Sequence, residues 1–182
     1  MVEIRRLRGG AHVAALGAIL HDCVEGGASV SFVKPFSMEM AEAFYRSIAG
    51  SVEQGERILL GAFVDRDLLG TVQVILAMPP NQTHRGEIAK LLVSRAARGA
   101  GIGQALMSAA ETCAREAGKT LLTLDTSTGS SAERLYERLG WIKAGVIPNY
   151  AVYPDGSWGD TTFFWKAISS GTAPQGAVSD CP

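Results

Sequence analysis

Histidine and cysteine are scarce, at three of each in 182 residues. Cys23, Cys113 and Cys181 show no CxxC or Cys–His spacing, and His12, His21 and His84 form no ligand pattern, so no metal site and no disulfide is expected. A reducing, cytoplasmic location follows from that expectation. Charge of one sign is also missing. Lys and Arg number 17 against 18 Asp and Glu, and a net charge of −1 argues against a nucleic-acid partner. The one basic run near an end, Arg5, Arg6 and Arg8, alternates with Ile4 and Leu7 and reads as the solvated face of a strand. Long hydrophobic runs are absent too: the longest near-continuous one, ILLGAFV at 58–64, falls well short of the roughly 20 residues of a membrane helix. The opening MVEIRRLRGG has no apolar signal-peptide region, so no membrane partner is expected.

What remains is a chain that can bury a core, with 47% hydrophobic residues. A helical period runs through Val13, Leu16, Ile19 and Leu20, and again through Met40, Phe44, Ile48 and Val52. Between them EGGASVSFVKPFS is too rich in glycine and proline markers for helix. ERILLGAFV and LLGTVQVILA flank DRD as a β-hairpin. A loop, MPPNQTHRG, leads to a strand at 87–93, and the next helix sets Ile102, Leu106, Ala109, Cys113 and Ala117 on one face. TLLTLDT (120–126) reads as a strand and SSAERLYERLG as a helix closed by Gly140. The stretch from Trp141 reads as paired strands around a PDG turn. The expectation is one α/β domain over residues 1–168, a mixed, mostly antiparallel sheet with helices on both faces, followed by a disordered tail at 169–182.

A strand, a glycine turn and a helix meet at LLVSRAARGAGIGQAL (91–106). That arrangement aims free backbone N–H groups and a positive helix end at an anion. A dinucleotide-binding G-x-G-x-x-G fails on spacing: its third glycine would fall on Gln104 or on Leu106. GKT at 118–120 fails as a phosphate-binding loop, because the first glycine would be Cys113 and a strand follows where a helix should open. R-x-x-G-x-G/A does fit, over Arg98, Gly99, Ala100, Gly101, Ile102 and Gly103, preceded by Leu91, Leu92 and Val93. Downstream, Ala132, Leu135, Tyr136, Gly140 and Trp141 fall on A-x-x-[FL]-Y-x-x-x-G-[FW].

On these two motifs the chain resembles the GNAT superfamily of N-acetyltransferases. GGASVSF, MPPNQTHRGEIAKLLV, LLTLDT and the PNYAVYPDG…TTFFWK ending are similar to its tabtoxin resistance branch. The resemblance implies acetyl-CoA as co-substrate and no metal, with the pyrophosphate over Gly101 and Gly103 and Arg98 at its rim. Leu91 to Val93, the Arg98 to Gly103 loop and Ser131 are then the cofactor-binding residues. It implies that the Val93 N–H polarises the thioester carbonyl and that Tyr136 protonates the leaving thiolate.

Accepting an amine's proton needs a base, since an alkyl ammonium has a pKa near 10. Glu87 at the start of its strand and Asp125 at the end of the next are the candidates; each could instead be local, pairing Arg85 or Lys90, or capping a turn. An acyl-enzyme is disfavoured, because Cys113 falls on an apolar helix face and Cys23 has no paired histidine. Ser29, Ser31 and Phe32 in the early loop, with Tyr150 in the late hairpin, are the expected substrate contacts. The expected acceptor is a small, polar, amino-acid-like amine, with a tabtoxinine-type toxin as the specific guess. A protein N-acetyltransferase and a non-catalytic acyl-CoA sensor remain alternatives. The assembly is expected to be a monomer or a homodimer.

Overall fold

The computed structural model describes residues 1–168, so the tail expected to be disordered lies outside the described residues. The alternation of VEIRRL builds an edge strand, β1 (Val2–Leu7), with Arg5 and Arg6 exposed as expected. The two periodic segments become α1 (Val13–Glu25) and α2 (Met38–Glu53), the latter capped by Ser37, whose hydroxyl accepts from the Met40 N–H. β2 (Arg57–Val64) and β3 (Asp67–Ile75) form the expected hairpin. β4 (Arg85–Val93) precedes the glycine loop and α3 (Ile102–Glu116); β5 (Leu121–Ser127) precedes α4 (Ser131–Arg138). β6 (Ile142–Val152) and β7 (Trp158–Ala167) close the described chain.

The seven strands form one sheet in the order β1-β2-β3-β4-β5-β7-β6. Every neighbouring pair is antiparallel except β4 with β5. Two apolar layers follow from the period-2 alternation of the strands. Ile58, Leu60, Val72, Val74, Ile88, Leu122 and Leu124 meet α3 and Tyr136 of α4 on one face. Leu59, Phe63 and Leu92 meet α1 and α2 on the other. The fold expected from the sequence is therefore the fold found.

Three details refine it. The buried stripe of α3 is completed by Met107, Ala110 and Ala114, while Ala117 caps the helix and is exposed. The GKT segment is a clamp: Gly118 takes φ +77 past the helix end, and Lys119 donates to the carbonyls of Leu76 (2.8 Å) and Thr83 (2.7 Å). Cys23 is a buried thiol, and Cys113 is buried on the inward face of α3.

Two irregularities in β4 place the site. In the β3–β4 ladder Gln73 pairs with Ala89 but Thr71 pairs with Leu92, so Lys90 and Leu91 together oppose Val72. This is a β-bulge, and it re-aims the side chains after it. On the other side, β4 and β5 pair only at Arg85–Leu121, Gly86–Leu122 and Glu87–Thr123, and no pairing continues beyond.

Candidate active site

Past that short seam lies a cleft of about 860 Å³, lined by both strands, the loop after α1, the glycine loop and the start of α4. Its size is that of a cofactor site. At one end, Gly99 and Gly101 hold φ +85 and +77, a region open to glycine and strained for other residues. A Cβ built on either would meet nothing within 4 Å, so the loop presents bare backbone to open space. Gly101 is the N-cap of α3 and gives it no side-chain cap, which leaves the first-turn N–H groups available to an anion. Gly103, within the first turn, leaves its Cβ position 3.3 Å from Leu135 of α4. The residues present thus fit a pyrophosphate-bearing group.

Leu91 to Val93, Arg98, Gly99 and Gly101 to Gly103 all line the cleft, as does Ser131; Ala100 does not, being turned outward at the exposed tip of the loop. Arg98 does not extend to a rim. It folds back, its Nε donating to the Val93 carbonyl (3.4 Å) and an Nη lying 3.8 Å from Cys23 Sγ. Burial pushes the Cys23 thiol up, although Arg98 pulls the other way. A protonated thiol wedged under Val93 is no nucleophile.

Glu87 and Asp125 come together on the face of the sheet away from α3, and both line the cleft. Arg85 holds this corner: its Nη1 is 3.6 Å from the Glu87 carboxylate and 2.9 Å from Thr123 Oγ1. Glu87 therefore does pair with Arg85, as the local reading had it, while also facing the cleft. Helix α4 is capped by Ser130, whose hydroxyl accepts from the Glu133 N–H at 3.1 Å. Burial raises the Asp125 carboxyl, partly offset by the Lys90 charge. Tyr136 lies 5% exposed at the cleft wall between Trp141 and Phe164. Burial, and then the Asp125 charge, raise its hydroxyl well above the usual phenol range, so it keeps its proton.

Of the expected substrate contacts, Ser29 and Ser31 line the cleft. Phe32 stands outside the lining, tilted against Phe36 (4.6 Å) and edge-on to Phe44 (5.4 Å). Tyr150 corrects the sequence reading. It sits on β6, the outermost strand, 53% exposed against Phe163, and lines no part of the cleft. A hairpin reads as near the site along the chain, but β7 intervenes between β5 and β6 in the sheet.

Lys90 was missed as a site residue, having entered only as a partner for Glu87. Strict alternation puts residue 90 on the opposite face from residue 87; the bulge reverses that. Its Nζ donates to Ser31 Oγ at 2.9 Å across the cleft. Burial lowers its ammonium, offset by Asp125. Ser130 was missed as well, although its spacing to Glu133 is a legible capping box.

Solved structures share this fold. An N-acetyltransferase from Staphylococcus aureus Mu50 superposes with a TM-score of 0.78 at 20% identity, over 93% of this chain and 99% of that one. The yncA protein of Salmonella typhimurium, solved with its cofactor acetyl-CoA, superposes with a TM-score of 0.77 at 21% identity, over 97% and 99%. A ribosomal-protein-alanine N-acetyltransferase from Brucella melitensis gives 0.78 at 24% identity, over 91% and 99%. The sequence profile of the acetyltransferase (GNAT) family matches residues 24–141, which take in the bulged strand, the glycine loop and the helix of Tyr136. The chain belongs to the GNAT family of acetyltransferases.

Proposed function

We propose that the protein acetylates the primary amine of a small, polar, amino-acid-like acceptor by direct attack on the thioester. The observation that carries this reading is the convergence of Glu87, Asp125 and Tyr136 on one cleft whose far end is the bare glycine loop. Bound acetyl-CoA supplies an activated acetyl group.

The chain's own residues do the rest. Backbone N–H groups at Gly101 to Gly103 and the positive end of α3 hold the pyrophosphate. The Val93 N–H, at the end of β4, polarises the carbonyl to be attacked. Asp125, with its carboxyl raised toward the working range, and Glu87 receive the amine's proton directly or through water. Tyr136 keeps its hydroxyl proton and delivers it to the leaving sulfur. The likeness to the tabtoxin resistance branch makes a tabtoxinine-type amino acid the first specific compound to try.

The test is thiol release from acetyl-CoA across a panel of amines. Acetylation of free amino acids supports the reading. Acetylation of peptides alone would transfer the assignment to a protein acetyltransferase.

A further inference from the structure

Two residues other than glycine face each other across the cleft in left-handed backbone: Ser31 at φ +74 and Lys90 at φ +51. Such positions are strained and persist where the surroundings hold them, often at ligand clamps. Here the two strained positions meet side chain to side chain, Lys90 Nζ donating to Ser31 Oγ at 2.9 Å. The rings of Phe32 and Phe44 stand 6.0 and 5.9 Å from the same ammonium and flank its approach.

The ammonium is under-served where it stands. Among the described residues its hydrogen-bond partner is one neutral hydroxyl, and no carboxylate oxygen lies within 4.0 Å. Asp125 and Glu87 act on it only at longer range. A partly buried cation with two rings and one hydroxyl around it, but no close counter-ion, keeps its charge unpaired. Arg85 differs: it is bound by Gln82, Thr123 and Glu87.

We propose that Lys90 is the anion-binding half of the acceptor site, taking a carboxylate or equivalent oxyanion of an acceptor whose amine is held by Glu87 and Asp125. This rests on the acetyl-transfer reading above and adds to it the residue that reads the acceptor's anionic end. A plain cationic amine brings a like charge toward Lys90; a zwitterion places its anion on Lys90 and its amine on the carboxylates. The bulge that turns Lys90 into the cleft is then a specificity device.

The experiment compares free L-amino acids with their carboxamides and with the corresponding decarboxylated amines, by thiol release from acetyl-CoA. The acids are expected to exceed the carboxamides by roughly 10- to 100-fold in kcat/KM, as for a charge-assisted hydrogen bond. Lys90→Met removes that preference, chiefly through KM for the acids, and leaves the carboxamides within about threefold of the parent. Lys90→Arg retains much of it, and both variants keep the parent's rise in Tm with acetyl-CoA, which shows that they fold and bind it. Equal rates for acids and carboxamides in the parent, or an equal loss for both in Lys90→Met, overturns the anion site and leaves acetyl transfer standing. Binding of acetyl-CoA with no amine of any class acetylated overturns the transfer reading, and the anion site with it.

Discussion

Asp22, near the end of α1, accepts two hydrogen bonds from Arg95, one from its backbone N–H at 2.8 Å and one from Nε at 2.7 Å. The pair fastens the loop after β4 to α1, just before the glycine turn begins. Burial works to raise the Asp22 carboxyl, but the Arg95 hydrogen bonds and the charges of Arg95 and Arg98 outweigh it and hold it low.

A carboxyl held low in the folded state contributes stability above its unfolded pKa and loses it as pH falls through the folded value. The Tm of the parent should therefore exceed that of Asp22→Asn by a few degrees at pH 7, about 1 kcal/mol given the partial exposure of the pair. The gap should close as the pH is taken below about 4. Melting curves from pH 7 to 3 check this; a gap independent of pH would assign the effect to packing.

Gly101 holds φ +77 with open space where a side chain would go. Gly101→Val should strain the turn and fill the anion seat, abolishing the rise in Tm with acetyl-CoA that follows RT ln(1 + [L]/Kd). Gly103→Val, which would press on Leu135 at the cleft wall, should weaken the same shift. Thermal shift at several acetyl-CoA concentrations reads the result, and unchanged affinity in both would sink the cofactor assignment.

Tyr136→Phe removes one oxygen from a buried ring. It should reduce turnover by roughly 10²- to 10⁴-fold and leave acetyl-CoA affinity nearly intact. Turnover within about twofold of the parent would make Tyr136 a packing residue, with water as the proton donor.

Asp125→Asn and Glu87→Gln separate base from binding residue. Activity that needs a carboxylate rises with pH through its pKa, and burial moves that limb upward for Asp125. Replacing the base should cost most near neutrality, and the deficit should shrink above about pH 10, where the amine is already neutral. A residue that only binds should show the same KM defect at both ends. Full kcat and KM profiles distinguish them.

The fold was legible where local chemistry decides it. Gly140 and Gly118 end helices at positive φ, Ser37 and Ser130 cap them, and the alternation of β2 and β3 sorts their residues between two layers. The glycine loop and Tyr136 were legible because spacing along the chain fixes them. Lys90 was not, since its direction depends on a register shift set by pairing with β3. Tyr150 was misplaced for a related reason: sequence order brings β6 near the site, but β7 takes the place beside β5.

The seam between β4 and β5 has one more consequence. Three residue pairs join a four-stranded ladder to a three-stranded one, and the strands beyond the seam share no pairing with each other. Prising the two ladders apart at that end breaks no rung of either. The resistance to such breathing comes from the side-chain layer beneath, where α3 packs on β1 to β4 and ties to β7 through Glu111 and Lys166, while α4 packs on β5. Opening or closing that mouth would therefore leave every backbone bond of both ladders made.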